Sequence, residues 1–253
     1  MDSIEKLELL VRSPVRIQLL EHLSAQPATV NQLESEFDVH RRTIIRNLDS
    51  LETSGWVAVH QRNYHLTPAV ELFLTELIDV LDRLSTASQL AAFFEYVPPE
   101  DIDIPLSAFK DITVVRSDSD NPHDPLMTVQ EAVSMASTIR MVIPVVSPIY
   151  AQIYAEAIAD NSIVETVLTA GAAKALQEGS NQKLDAILDD SDARTYLVDR
   201  KVPYGLLITD QSVLVGGYDD GVLRVVLEGD SPPFRQWART AYAHQQEVAK
   251  QLA

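Results

Sequence analysis

The sequence predicts two folded parts of different class, an α+β head and an α/β body, joined by one long helix. Three observations carry this. Residues 1–66 string together capped helical stripes and end in two short strand-like runs; residues 69–94 sustain one apolar stripe with no glycine or proline; beyond Pro105 the apolar runs shorten to strand length and alternate with helical ones. The expected boundaries are 1–68, a linker helix over 69–97, and a body over 108–253.

Taken in order, Ile4, Leu7, Leu10 and Val11 make an opening helical face. Ser13-Pro14 places an N-cap and a proline at the start of the next helix, which turns Ile17, Leu20 and Leu23 inward. Thr29-Val-Asn-Gln32 has capping-box spacing, so a short helix starts there with Val30, Leu33 and Phe37 on one face. Asp38-Val39-His40 breaks that pattern as a turn without the usual glycine. From His40 to Ser54 a second helix shows Ile44, Ile45, Leu48 and Leu51 as its apolar stripe, and Gly55 supplies a left-handed stop. Trp56–His60 and Tyr64–Leu66 then read as two strands around Gln61-Arg62-Asn63. Helix, turn, helix and hairpin in this order predict a winged helix-turn-helix.

Stepping about 100° per residue around the second helix puts Arg42, Thr43, Arg46 and Ser50 opposite the stripe and Arg41 and Asn47 nearer its flanks. Such a helix presents its first half to base edges in a major groove, and here arginines come first while Asp49 and Glu52 follow. The planar arginine fork pairs with guanine O6 and N7 or with phosphate. The candidate DNA contacts are His40, Arg41, Arg42, Thr43, Arg46, Asn47 and Ser50, with Arg62 and Asn63 on the wing and His60 a weaker one. An ordinary solvated helix face, with His60 and His65 on a strand surface, is the competing reading.

The chain has 253 residues, 46% of them hydrophobic, enough for real cores. No apolar run is long enough to span a bilayer, and Met1-Asp-Ser-Ile-Glu lacks the basic start of a secretion signal, so a cytoplasmic protein with no membrane partner is expected. The absence of cysteine excludes disulfides, thiolate zinc and thiol redox chemistry. A net charge of −17 is wrong for a typical nucleic-acid binder. Its distribution answers this: between His40 and His65, Arg41, Arg42, Arg46 and Arg62 meet only Asp49 and Glu52. Few lysines and many aspartates suit a high-salt cytoplasm, where specificity rests more on base contacts and shape than on phosphate number.

Thr67-Pro68 begins the long helix, with Val70, Phe73, Leu77, Val80 and Leu84 near heptad spacing and Leu74 and Leu81 widening the stripe. It connects the parts and offers a seam for a homodimer; packing within its own chain fits the pattern equally. Pro98–Pro105 breaks both periodicities. Beyond it, Ile112–Val115, Met141–Val146 and Ile163–Leu168 read as strands, with helices over Met127–Ser137, Pro148–Ala159 and Ala172–Gln177, and a largely parallel sheet is expected. Tyr196–Val198, Tyr204–Thr209, Ser212–Val215 and Val222–Leu227 are strands joined by tight turns, Asp220-Gly221 being a hairpin signal, before a terminal helix over Phe234–Leu252.

Two resemblances enter here. Ser13-Pro-Val-Arg-Ile-Gln-Leu-Leu-Glu-His-Leu23 and His40-Arg-Arg-Thr-Ile with Leu48, Leu51 and Gly55-Trp56 resemble archaeal winged-helix regulators, and the acidic composition is similar to haloarchaeal proteins. Ile163–Thr169, Val202–Asp210 and Trp237–Tyr242 resemble the effector domains of FilR1 and TrmB-like regulators, themselves similar to phospholipase-D-like folds. The resemblance implies transcription control coupled to sensing of a small metabolite such as a sugar or central-carbon compound.

A phospholipase-D-like enzyme needs a His-x-Lys pair, and none of His22, His40, His60, His65, His123 and His244 has that lysine. With no nucleophile elbow, zinc helix or P-loop either, no enzyme and no cofactor are expected. Asp118, Asp120, His123 and Asp124 lack the glycine and distal glutamate of a calcium loop, so no metal is assigned. Ligands of such sheets bind outside the carboxyl ends of parallel strands, which makes Arg116, Ser147, Thr169, Arg200 and Lys201 the effector candidates, suited to an anion. The whole reads as a dimeric, effector-responsive regulator of a double-stranded operator. The alternative is a winged-helix adaptor that binds a protein of the transcription machinery.

Overall fold

A computed structural model describes residues 2–146, 149–150, 152–153, 163–178 and 193–251, and the chain divides into two compact units, Met1–Asp82 and Arg83–Ala253. The first unit contains α1 (Ser3–Val11), α2 (Pro14–Ala25), α3 (Val30–Glu36), α4 (Arg41–Thr53), β1 (Val57–His60), β2 (Asn63–Leu66), the short α5 (Pro68–Glu71) and the first half of α6 (Leu74–Phe94).

Local chemistry sets these bounds. The Thr29 backbone N–H donates to Gln32 Oε1 at 2.8 Å while Gln32 N donates to Thr29 Oγ1 at 3.4 Å, closing the expected capping box. Gly55 ends α4 at φ +75° with nothing within 4 Å of a would-be Cβ. Leu10, Leu19, Leu20, Leu33, Ile44, Leu48 and Leu51 are fully buried in one core. Leu19 escaped the sequence reading, and of the opening stripe only Leu10 reaches the core. Ile4 (70% exposed) and Val11 face solvent, Leu7 is partly exposed in a cleft with Trp56, Phe73 and Leu77, and Leu9 packs partly buried against the core beside Leu10.

The wing pairs Val57 with Leu66 through His60 with Asn63, so Asn63 belongs to β2 and the tip is two residues, Gln61 and Arg62, rather than three. Both tip residues are left-handed, at φ 49° and 68°. Ala28 adds a bridge to Tyr64, with N–H to O distances of 3.0 and 2.8 Å, which ties the start of α3 to the wing.

In place of one helix from Ala69, α5 and α6 are separated by a turn at Leu72-Phe73. Leu77 and Ile78 pack on the first core and Leu90 and Phe93 on the second, while Val80 and Leu84 between them are exposed. Among the described residues, no helix is long and apolar enough to cross a membrane.

The second unit holds β3 (Thr113–Arg116), α7 (Asp124–Ser134), β4 (Thr138–Ile143), β5 (Ile163–Thr169), α8 (Ala170–Glu178), β6 (Ala193–Val198), β7 (Tyr204–Thr209), β8 (Val213–Asp219), β9 (Val222–Gly229), α9 (Pro232–Val248) and β10 (Lys250–Gln251). Its Pro98–Pro105 stretch forms a 3-10 turn at Pro99–Asp101. The expected helix over Pro148–Ala159 falls largely outside the described residues. The described strands form an eight-stranded sheet in the order β10-β6-β5-β4-β7-β8-β9-β3. It is mixed rather than largely parallel: β4, β5 and β6 run parallel, whereas β7, β8 and β9 follow one another through turns too short for a crossover and so pair antiparallel. The β8–β9 turn is Asp220-Gly221, both left-handed, as its sequence predicts.

Alternate residues feed two cores. Val142, Val167 and Leu206 face Phe234, Ala238 and Tyr242 of α9, while Met141, Leu168 and Leu207 share the other face with Val133 of α7. A sheet covered on both faces explains the continuous apolar runs read in β4 and β7.

Candidate nucleic-acid interface

α4 buries a sector centred on Ile44, Leu48 and Leu51 and sends Arg42 and Arg46 to the opposite side, where both are exposed. Neither makes an ion pair or hydrogen bond among the described residues. The sector is narrower than expected and rotated. Ile45 is 37% exposed, whereas Asn47 is 1% exposed and lies within the buried sector.

Asn47 is therefore corrected from a base contact to a structural amide. Its Nδ2 donates to the Thr43 carbonyl at 2.9 Å and its Oδ1 accepts from Arg16 Nε at 3.0 Å, so the buried group is satisfied where it stands. Arg41 is also engaged: it donates to Asn31 Oδ1 at 2.6 Å and to Glu34 Oε2 at 2.7 Å, stapling α4 to α3. A half-exposed pair of this kind contributes at most about 1 kcal/mol. His40 is the exposed N-cap of α4 with no side-chain cap bond. Thr43 and Ser50 are half-buried, and Ser50 Oγ accepts from an Arg16 terminal nitrogen at 3.4 Å.

Arg16 is the residue the sequence reading missed. It also donates to the Leu9 carbonyl, so one guanidinium ties α1, α2 and α4 together. A signal existed: a cation in the first turn of a helix opposes the helix dipole and needs a specific partner to justify it. Burial, then the positive charges of Arg46 and Arg12, hold its pKa below the ordinary arginine value.

On the wing, Arg62 is exposed at the tip and Asn63 is half-buried in β2. Burial, then the negative charges of Asp49 and Glu52, push the Tyr64 phenol up, while Asp49 also lines the outer face of α4 with Arg42 and Arg46. His22 Nδ1 lies 3.1 Å from Glu36 Oε2, a link between α2 and α3.

In the second unit the effector candidates do not form one constellation. Arg116 ends β3 at one edge of the sheet, five interstrand steps from β5, a separation of roughly 24 Å at about 4.8 Å per step. Thr169 is buried; its Oγ1 donates to the Pro144 carbonyl at 3.1 Å and accepts from Ala172 N at 3.2 Å, capping α8. Arg200 holds Gln245 Oε1 through Nε at 3.2 Å and a terminal nitrogen at 2.8 Å. Lys201 is exposed, and Ser147 lies outside the described residues. Asp118 Oδ1 accepts from the N–H groups of Asp120 and Asn121, so the acidic loop is a local turn. Among the described residues no group of three or more acidic or histidine side chains is placed to hold a metal ion.

A family model described as the HVO_A0261 N-terminal domain matches residues 4–89, and that of the methanogenesis regulatory protein FilR1, middle domain, matches residues 122–248. Among solved structures, TrmBL2, described as an archaeal chromatin protein with a novel mode of DNA binding, is 15% identical with a TM-score of 0.44 over 92% of each chain. The phospholipase D family member Nuc from Salmonella typhimurium is 14% identical with a TM-score of 0.40, covering 56% of this chain and 99% of its own. No curated protein matches. With just over half of its residues matched by the second family model, the chain belongs to the family of the methanogenesis regulatory protein FilR1, middle domain.

Proposed function

We propose that the first unit reads a double-stranded DNA operator and that the protein regulates transcription. One observation carries this: Arg42 and Arg46 stand exposed and without a carboxylate partner among the described residues, on the outer face of the second helix of a helix-turn-helix, in a chain of net charge −17. Guanidinium forks so placed suit guanine edges or phosphate in a major groove. Thr43 and Ser50 flank them, His40 stands at the groove entry, and Arg62 at the wing tip reaches the backbone, with Asn63 behind it.

The protein acts as a homodimer, with the exposed Val80 on α6 offering an apolar seam. Two copies then place their reading helices about one DNA turn apart. The second unit senses a small anionic metabolite near the adjacent carboxyl ends of β5 and β6, where Thr169, Arg200 and Lys201 lie; Arg116 is too distant to share that site.

Selection of duplexes from a random pool tests the reading. Wild-type protein enriches one motif, and charge reversal of Arg42 and Arg46 to Glu abolishes enrichment at an unchanged melting temperature. Enrichment by the doubly reversed protein would refute the assignment. For the second unit, stabilisation by at least one sugar phosphate or organic acid in a thermal-shift screen is expected, and a screen in which none stabilises counts against sensing.

A further inference from the structure

A cleft of the first unit opens between α1, α2 and α4. Arg12 and Ser13 line it at the α1–α2 junction, Arg16 comes from α2, Arg46 and Asn47 come from α4, and α1 adds Leu9 and two carboxylates, Glu5 and Glu8. Three guanidinium groups converge here although acids outnumber cations across the chain.

Each arginine holds a different rank. Arg16 is fixed, its fork spent on Asn47, Ser50 and the Leu9 carbonyl, so its position does not depend on a ligand. Arg12, with a side chain 75% exposed, bonds only Glu8 among the described residues, at 2.9 Å. Arg46 is exposed and has no partner among the described residues. Arg16 keeps its charge despite its neighbours. The free protein therefore stores like-charge repulsion that a bound anion relieves, and the exposed Glu8 carboxylate is a weak stand-in that an anion with more oxygens can displace.

We propose that this cleft seats one phosphodiester of the duplex backbone, gripped by Arg12 and Arg46 above Arg16 as a fixed positioning residue. The inference rests on the DNA-reading proposal and adds to it a second backbone contact. A helix lying in the major groove has a sugar-phosphate strand along each flank. The wing, with Arg62, serves one flank; the cleft serves the other.

The test uses the full-length protein and a duplex selected by the wild type. Arg12→Gln, a substitution at an exposed side chain, lowers affinity several-fold and makes the slope of log affinity against log salt shallower by about 0.9, without changing the selected motif. Glu8→Gln raises affinity. A methylphosphonate walked along the backbone finds one position where neutralising the phosphate weakens the wild type but not Arg12→Gln. Arg16→Lys keeps the charge but loses the fork, so it costs affinity at a melting temperature that circular dichroism follows in parallel.

Duplex binding by Arg12→Gln with wild-type affinity and salt slope overturns the cleft assignment while leaving the reading helix intact. Failure of the wild type to select any duplex overturns both. If inorganic phosphate raises the melting temperature of the wild type but not of Arg12→Gln, and that substitution leaves duplex affinity unchanged, the cleft belongs to a free anion and the proposal falls.

Discussion

The wing tip separates stability from binding in a single loop. With His60 paired to Asn63, the hairpin turns through Gln61 and Arg62 alone, at φ 49° and 68°. A two-residue turn with both residues left-handed is the one for which Asn-Gly is favoured. A side chain other than glycine in that region costs about 1–2 kcal/mol. Replacing Gln61→Asn and Arg62→Gly together relieves about 2 kcal/mol, and the extra freedom of glycine in the unfolded chain takes back about 0.5–1 kcal/mol. A net gain of roughly 1 kcal/mol remains, which for a unit of this size raises the melting temperature by about 4–8 °C. The same change deletes the wing's cation, so duplex affinity falls and the salt slope becomes shallower by about 0.9. Thermal unfolding by circular dichroism and duplex titration at several salt concentrations measure the two effects, and Arg62→Asn serves as control because it tolerates the conformation without the charge. A variant no more stable than the wild type would refute the left-handed tip. Full affinity in that variant would remove Arg62 from the interface.

Three further outcomes follow from particular contacts. Asn47→Ala deprives Arg16 Nε of its acceptor in a buried setting and lowers stability by about 1–3 kcal/mol in urea denaturation, while the folded fraction keeps its duplex motif; a changed motif at unchanged stability would return Asn47 to the groove. Asp210 accepts from Ser137 N at 2.8 Å and Thr138 N at 3.3 Å, which holds its carboxyl below the usual carboxylate range. A depressed folded-state value gives stability that is present above about pH 4 and lost as pH falls through the lowered value, so Asp210→Ala flattens the acid limb of the urea midpoint; superimposable acid limbs would contradict the contact. Finally, with Arg62 and the Arg12–Arg46 cleft as the phosphate contacts, the salt slope is about −2 per protomer, and a slope several times steeper would overturn that set of backbone contacts.

What the sequence disclosed is what local chemistry decides. Thr29 with Gln32, Gly55, and Asp220-Gly221 each set a backbone conformation within a few residues, and each stands as read. Helical stepping placed Arg42 and Arg46 on the exposed face, but Thr43 and Ser50, stepped to the same side, are half-buried because the buried sector is rotated toward them. Asn47 and Ile45 lie nearer its margins, and there the neighbour decides. Arg16, 31 positions earlier than Asn47, draws that amide inward, and no comparable partner covers Ile45. The sheet shows the same limit. Runs of apolar residues announced the strands, but not that β3 would cross to the far edge beside β9, and so Arg116 was grouped with residues it never approaches.

On the proposed reading, a chain of net charge −17 needs an account of which charges the duplex meets. At physiological ionic strength a charge acts over about 8 Å, so groups beyond that distance contribute little to the contact itself. The charges within reach are those on α4 and its flanks, and they are ordered: Arg42 and Arg46 before Asp49 and Glu52, Arg12 and Arg16 on one flank, Arg62 beyond the other. The late acids are useful there, since a carboxylate in the groove accepts from cytosine N4 and repels phosphate, which penalises a helix inserted in the wrong orientation. Long-range repulsion from the remaining carboxylates acts earlier, on encounter, and lowers the association rate without weakening a contact already made. Salt that screens this repulsion also screens phosphate contacts, but a bidentate arginine–guanine pair is short enough to be affected least. On the proposed reading, with few phosphate contacts and Arg42 left to meet base edges, non-specific binding, carried by phosphate alone, is lost before specific binding as salt rises, and the negative net charge slows both kinds of encounter without reversing that order.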